Sequence, residues 1–415
     1  MLVLVSNAGS TSLKFKLFDM PSERPLCEAR VERVGSGEGI YHYQNAERNA
    51  ALREDGLAVP GYSDGIRRFL SSLLDGESGV RLDGAAIRIE DVGAIGFKTV
   101  LAKGYYAVHE LSAEVLAAME AYRPVAPVHN GAYLEVIARF KEAFPRSRMA
   151  GVFETFFHTT IPLERRLYGI PYEWYRRYGV SRLGYHSASH SYVAQTLRAD
   201  DEGEKKYRRI ISCHLGGSCS ICAILDGKSV DNSFGFSLQA GVPHANRTGD
   251  LDPYIMLFLL DSGMSMNELR AGLEKNGGMM GLSGFSNDMR DLEEAAEGKG
   301  KTPERAERAR LALDVFVTAV QRYIGQYYAE LGGLDALVFT AGIGENSPRL
   351  RKRIAASAAC FGVSVDDSAN ETAKGRGKLL ISAADSAAEL WIVPANEEII
   401  VARETYKLFT KTEAA

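Results

Sequence analysis

The sequence predicts an α/β protein in which one domain is built twice. Three observations carry that expectation. Short apolar strands alternate with long amphipathic stretches along the chain. A strand–turn–strand unit at the start recurs near the middle. The chain has 415 residues, too many for a single hydrophobic core.

The first unit opens with the apolar run Leu2-Val3-Leu4-Val5 and a turn of small polar residues, Asn7 to Ser12. Leu13, Phe15 and Leu17 then alternate with Lys14, Lys16 and Phe18, which is mostly the period of a strand. At mid-chain, Arg209 to Cys213 leads into His214-Leu215-Gly216-Gly217-Ser218-Cys219-Ser220 and then the apolar run Ile221 to Leu225. Gly9 to Ser12 and Gly217 to Ser220 share the pattern G-S-x-S, and both second strands end near an Asp, Asp19 and Asp226. The alternative is two unrelated hairpins that happen to share small-residue turns. Helical patterns are expected over Ser112–Tyr122, Asn130–Phe144, Tyr192–Ala199 and residues 302–331, the last opening on Thr302-Pro303-Glu304 and closing on Gly332-Gly333. Ala336 to Thr340 reads as a strand, residues 341–347 as a glycine turn, and Trp391 to Val393 as a short strand before a last helix reaching about Phe409. Residues 200–206 and 297–302 read as charged surface loops.

Bulk properties narrow the function. The composition, 46% hydrophobic and 25% charged, is that of an ordinary globular protein. A net charge of -4 gives no broad attraction to nucleic acid. No apolar run approaches the roughly 18 residues that span a bilayer. The start of the chain has no basic n-region, so it does not read as a signal peptide. The five cysteines are few and odd in number, which favours reduced thiols and a cytoplasmic protein. Cys219-x-x-Cys222 reads as two small residues in a strand, since a metal site usually needs a second pair.

Three glycine-bearing turns, at residues 7–12, 214–220 and 341–347, could present backbone N–H groups to phosphate. Each could equally be a plain turn. No Walker or Rossmann glycine pattern is present. Glu154 and Glu397 each follow an apolar strand and suit a magnesium partner, a general base or a local cap. His129, His186, His190 and His214 lie in polar or glycine-bearing turns. One of them could donate to a transferring phosphoryl group, and a structural hydrogen bond is the better account of His190. Arg247 could clamp phosphate, or lock its turn through Asp250.

Taken in order, these segments resemble the acetate kinase family of the sugar kinase–Hsp70–actin superfamily. Asn7 to Lys14 resembles N-x-G-S-[ST]-S-x-K, and Ala126 to Asn130 resembles A-P-L-H-N. Val152 to His158 is similar to V-F-D-T-A-F-H, and Gly184 to His190 to G-F-H-G-T-S-H. Arg247 to Asp250 resembles R-S-G-D, and Ser286 to Asp291 resembles S-[SN]-D-[FM]-R-D. Gly342 to Ser347 matches G-I-G-E-N-S, and Asn396 to Glu398 matches N-E-E. The resemblance spans the whole chain.

It implies a duplicated actin-like (ribonuclease H-like) fold: residues 1–152 with the returning 394–415, residues 153–393, and an active site in the cleft between them. It implies phosphorylation of a short carboxylate, acetate or propionate, by direct in-line transfer from ATP, with a homodimer formed through the second domain. By position, Asn7 and Glu397 hold Mg²⁺ or Mn²⁺. Glu154, His186 and Arg247 are catalytic. Lys98, Val100, Val128, Tyr185 and Leu238 meet the acid. Ser10, Ser12, Lys14, His214, Leu215, Gly216, Gly217, Ser218, Asp288, Met289, Arg290, Gly342, Ile343, Gly344, Glu345 and Asn346 meet the nucleotide. Nucleic acid and membrane are not expected partners. Such transfer needs positioning and charge neutralisation more than covalent chemistry.

The departures from the family pattern fall in the active site. Lys98 stands where the family has Arg, Glu154 where it has Asp, Gly217 where it has Asn, and Tyr185 where it has Phe. Lys lacks the planar fork of Arg, and a tyrosine hydroxyl near the acyl pocket needs a partner. Three readings follow: an acetate or propionate kinase, a kinase for another small carboxylate, hydroxylated or not (favoured by Lys98, Lys103 and Tyr185), and a nucleotide-binding protein with little turnover. Pyrophosphate as donor is a lesser variant of the first.

Overall fold

The structure is a computed structural model that describes residues 1–9, 11–198, 207–299, 302–375 and 377–411, with Pro127 and Val128 described by their backbone only. Ser10, the Val128 side chain and the charged loop at 200–206 therefore lie outside the described residues. The chain forms two compact units, Met1–Phe156 with Asn396–Ala415, and Phe157–Ala395.

Unit one is built on an eight-stranded sheet. Its order is Ala50–Val59, Ser36–Asn45, Arg24–Glu32, Ser12–Asp19, Leu2–Ala8, Val92–Phe97, Arg148–Val152 and Val108–Glu110. Leu2–Ala8 pairs antiparallel with Ser12–Asp19 and parallel with Val92–Phe97, which in turn lies parallel to Arg148–Val152. Unit two has a six-stranded sheet in the order Lys228–Asn232, Cys219–Leu225, Arg209–Leu215, Ala336–Thr340, Glu389–Ile392 and Leu379–Leu380. There Arg209–Leu215 pairs antiparallel with Cys219–Leu225 and parallel with Ala336–Thr340, which lies parallel to Glu389–Ile392. Both sheets thus have an antiparallel meander, of five strands in unit one and three in unit two, whose first strand continues into two parallel strands. The repeated hairpin in the sequence forms the first two strands of each meander, so the duplication is one of topology and not a chance likeness of turns.

The parallel strands are covered on both faces and read as continuous apolar runs. Ala336–Thr340 is buried at every position. Against this sheet packs the helix Pro303–Leu331, capped by Thr302 at its start and by Gly332 at φ 66° at its end. Its stripe from Ala306 through Leu313, Phe316, Val320 and Ile324 to Leu331 is buried at helical spacing, because those residues fall on one face. In unit one the helix Glu397–Lys411 lies so close over the sheet that a Cβ on Gly96 would meet Thr405 Oγ1 at 2.2 Å.

Several expected boundaries shift. The helix read from Asn130 starts at Pro127, where proline suits the first helical position. The one read from Tyr192 starts at Ser187. The glycine turn expected at 341–347 is a helix over Ala341–Asn346, joined to the preceding strand through Ala341 alone at φ 65°. One residue in the left-handed region replaces a whole turn, an arrangement that marks functional sites more often than ordinary loops. The outer strands at residues 24–59 were not read from the sequence. Ala50–Val59, for instance, leaves most of its residues at least partly exposed and so lacks an apolar signature.

Candidate active site

In unit one the candidate residues gather at the C-terminal ends of the parallel strands, where open α/β sheets bind ligands. Asn7 lies at the end of Leu2–Ala8, Lys98 just past Val92–Phe97, and Glu154 just past Arg148–Val152. The last two segments are tied together by Glu154 N–H donating to the Thr99 carbonyl at 2.8 Å. Glu397 opens the last helix of the chain, where the helix dipole favours a carboxylate.

The Lys98 ammonium lies 2.9 Å from Glu154 Oε1 and 2.5 Å from Glu397 Oε2. Glu154 is only 7% exposed and Lys98 17%. Burial opposes the lysine charge most strongly, but the Glu154 and Glu397 carboxylates outweigh it and hold the ammonium well above the ordinary lysine range. Beside them Tyr133 OH donates to Asn7 Oδ1 at 2.8 Å and accepts from Ala8 N–H at 3.2 Å. Tyr133 was missed in the sequence, since nothing in its helical position distinguishes it from a core tyrosine. Val100 is buried nearby in the chain, and Lys14 is exposed on Ser12–Asp19, opposite Asn7 in the register. Ser12 closes the hairpin turn by accepting from Gly9 N–H through its carbonyl at 2.8 Å.

The residues present suit a divalent cation in their chemistry. Magnesium and manganese take oxygen ligands, and the carboxylates of Glu397 and Glu154 with the Asn7 amide oxygen are such donors. Among the described residues no group of three or more His, Cys, Asp or Glu forms a metal cage. An ion held here would therefore keep water or phosphate oxygens as its other ligands, as magnesium commonly does.

Unit two brings histidines and serines together. His186, at φ 59° just before the helix Ser187–Arg198, stacks on His214 with centroids 4.0 Å apart. His186 Nδ1 and Ser220 Oγ are hydrogen-bonded at 2.8 Å, Ser220 Oγ and His190 Nε2 at 2.7 Å, and His190 Nδ1 and Ser212 Oγ at 2.9 Å. A proton order that satisfies this chain has Ser212 donating to His190, His190 to Ser220, and Ser220 to His186 Nδ1. That order leaves the His186 proton on Nε2. Burial, then the neighbouring His158 and His214, hold His190 well below the usual histidine range, which keeps it neutral and structural. His214 Nδ1 is paired with Ser189 Oγ at 2.7 Å. The serines were missed because they are common strand and helix residues.

Arg247 is half-buried and donates from Nη1 to the Leu238 carbonyl at 2.6 Å. The lock with Asp250 is not what forms. Asp250 accepts instead from Gly241 N–H and from Tyr323 OH. The Tyr185 hydroxyl, expected to seek a polar substrate, donates to the Phe236 carbonyl at 2.8 Å, so the protein itself supplies its partner.

A cavity of about 500 Å³ in unit two is lined by Gly216, Gly217, Asp288, Met289, Arg290, Gly342, Ile343 and Asn346. Asp288 caps the helix Met289–Ala296 and also pairs with the Arg290 guanidinium at 2.6 Å. Of the other unit-two residues read as nucleotide contacts, His214, Leu215, Ser218, Gly344 and Glu345, none lines this cavity. Leu215 is core, and Gly344 packs against the Phe339 backbone. Glu345 Oε1 accepts from Ala395 N–H at 2.9 Å. Ser218 Oγ is buried with no hydrogen-bond partner among the described residues. Arg351, also unread in the sequence, is 2% exposed and donates from Nη1 to the carbonyls of Gly344 and Glu345. It satisfies the carbonyl end of the short helix that borders the cavity.

The Acetokinase family profile matches residues 2–403. The chain belongs to the acetokinase family. It is 37% identical to an acetate kinase of Shouchella clausii, over 98% of this chain and 99% of that one. It is 38% identical to the acetate kinase of Thermotoga maritima, over 99% of both. Among solved structures, the acetate kinase of Porphyromonas gingivalis superposes with a TM-score of 0.84 at 31% identity, over 98% of this chain and 99% of that one. A propionate kinase from Francisella tularensis superposes with a TM-score of 0.85 at 30% identity, with the same coverage. The duplicated fold is therefore the actin-like fold of the acetokinase family, and the chain is a phosphotransferase that uses a carboxyl group as acceptor.

Proposed function

We propose that this acetokinase-family chain phosphorylates acetate or propionate with ATP, giving the acyl phosphate by direct transfer. The observation that supports ATP most is the cavity of unit two, where the glycine loop at Gly216-Gly217 and the starts of the helices Met289–Ala296 and Ala341–Asn346 converge on a space of about 500 Å³. Backbone N–H groups at Gly216, Gly217 and Gly342 would hold phosphate oxygens. A carboxylate acceptor is already ionised at neutral pH, so it needs cations rather than a base. Arg247 and the His186 Nε2 proton would face the charge that develops on the transferring group. Lys98 would meet the acid or the phosphoryl oxygens, with Glu154 setting where its ammonium points. Tyr185 and Leu238 of unit two would bound the acyl tail. Asn7 and Glu397 would hold Mg²⁺ or Mn²⁺, which supplies further neutralisation of phosphate charge when bound.

The test is hydroxamate formation with Mg-ATP, hydroxylamine and separate acids. Colour strongest with acetate or propionate is expected. Colour only with glycolate or lactate moves the substrate to a hydroxy acid, and no colour from folded, nucleotide-bound protein overturns the kinase reading.

A homodimer through unit two is part of this proposal. The helix Pro253–Asp261 buries no residue within the chain, and Tyr254 is 74% and Phe258 68% exposed on it. Large apolar surface of this kind marks an interface. Sedimentation of the wild type is expected to give a dimer, and Phe258→Glu to shift it toward monomer. A wild-type monomer at micromolar concentration rules the interface out. A cytoplasmic setting is also proposed. It is supported by five free cysteines, four of them buried, and by the lack of any described helix long and apolar enough to cross a membrane.

A further inference from the structure

Two carboxylates of unit one, one buried and one partly so, already share a cation, and that cation belongs to the chain. The Lys98 ammonium reaches Glu154 Oε1 at 2.9 Å and Glu397 Oε2 at 2.5 Å, so it lies between the two groups. All three side chains are largely out of solvent, which weakens screening by water and salt. The Glu154 main chain is fixed to Thr99, next to Lys98, so the pairing is built into two adjoining strand ends. A divalent ion needs the same oxygens and carries the same sign of charge.

We infer that Lys98 is an internal competitor for the divalent cation. In the nucleotide-free protein its ammonium occupies the carboxylates of Glu154 and Glu397, and free metal binds there only weakly. This deepens the proposed function and rests on its placing of the metal at Glu397. Lysine suits the task because its charge sits at the end of a flexible four-carbon stem and can be re-aimed when a polyanion offers another partner. The metal would accordingly load as its nucleotide complex, with phosphate oxygens both completing its shell and drawing the ammonium off.

The experiment is a titration of nucleotide-free, full-length protein with Mn²⁺, with free Mn²⁺ read by electron paramagnetic resonance. Wild type is compared with Lys98→Met, Lys98→Gln and the double variant Lys98→Met/Glu397→Gln. Removing one unit charge a few ångströms from the site should tighten Mn²⁺ binding at least about tenfold in both single variants. The double variant should lose that gain. Lys98→Gln keeps a hydrogen-bond donor for the carboxylates and guards against a Met variant that does not fold. A rise in melting temperature with Mn²⁺, larger in the Lys98 variants than in wild type, reads out the same competition. Folded single variants that bind Mn²⁺ no tighter than wild type overturn the inference, as does a gain that survives Glu397→Gln. Hydroxamate formation by the wild type separates the two readings. An active wild type with Lys98-independent Mn²⁺ binding sinks only the competitor, and an inactive wild type with Lys98-dependent binding sinks only the kinase.

Discussion

Arg247→Ala is expected to lower kcat for acyl phosphate formation by about a thousandfold, with a much smaller change in KM for the acid. The scale is that of a guanidinium placed against the charge that builds on a transferring phosphoryl group. Arg247 suits that role because it is held without being neutralised. Burial lowers its pKa, yet arginine stays protonated at any working pH. Its Nη1 donates to a carbonyl rather than to a carboxylate. The nearby Asp250 is engaged by Gly241 and Tyr323 instead. Arg247→Lys should recover little, since a point charge cannot reproduce two parallel hydrogen bonds. Free guanidinium added to the Ala variant should restore part of the rate. Steady-state kinetics with Mg-ATP decide the matter, and an Ala variant within about tenfold of wild type would remove Arg247 from the chemistry.

Stability should fall steeply as the pH drops from 6.5 toward 4. Burial holds His158 at about 4 and, with Arg247 second, holds His244 at about 3, both from an ordinary 6.5. His190 is also held well below 6.5, by burial and by its histidine neighbours. A histidine kept neutral in the fold binds a proton only after unfolding. Its contribution is fully present above pH 6.5 and is lost as the pH falls toward the folded value. Asp231 acts in the opposite sense. Burial, then the Glu330 charge, raise it to about 7 from 3.8, so it takes up a proton in the fold first, and its contribution is lost as the pH rises through 7. Between pH 4 and 6.5 it offsets one of the three histidines. The remaining two leave a slope of about 3 kcal/mol per pH unit, at about 1.4 for each group. Urea unfolding of the full chain at pH 7, 6 and 5 measures this. Midpoints that stay level across that range would mean these histidines are already protonated in the fold.

Much of this protein was legible in its sequence, for a physical reason. A strand buried on both faces must be apolar throughout, and a long packed helix must repeat its apolar residues at helical spacing. Hence Ala336–Thr340, the helix from Pro303 and the two matching hairpins could be read directly. Small-residue turns and an arginine beside a glycine are visible in any sequence, so Gly216-Gly217, Gly342 and Arg247 could be singled out as candidates. What the sequence could not carry was pairing. The same lysine reads alike whether it faces solvent or two carboxylates, and only the adjacency of two strand ends sets Lys98 between Glu154 and Glu397. Ser220 is an ordinary strand residue until the fold places its hydroxyl between His186 and His190. The Tyr185 hydroxyl acquired a partner, Phe236, from 51 residues away in the chain. Local sequence determined the elements and the chemical types at their ends. The tertiary structure decided which of those ends share charges and protons, because hydrogen bonds and ion pairs form between groups within a few ångströms of one another, whatever their separation along the chain.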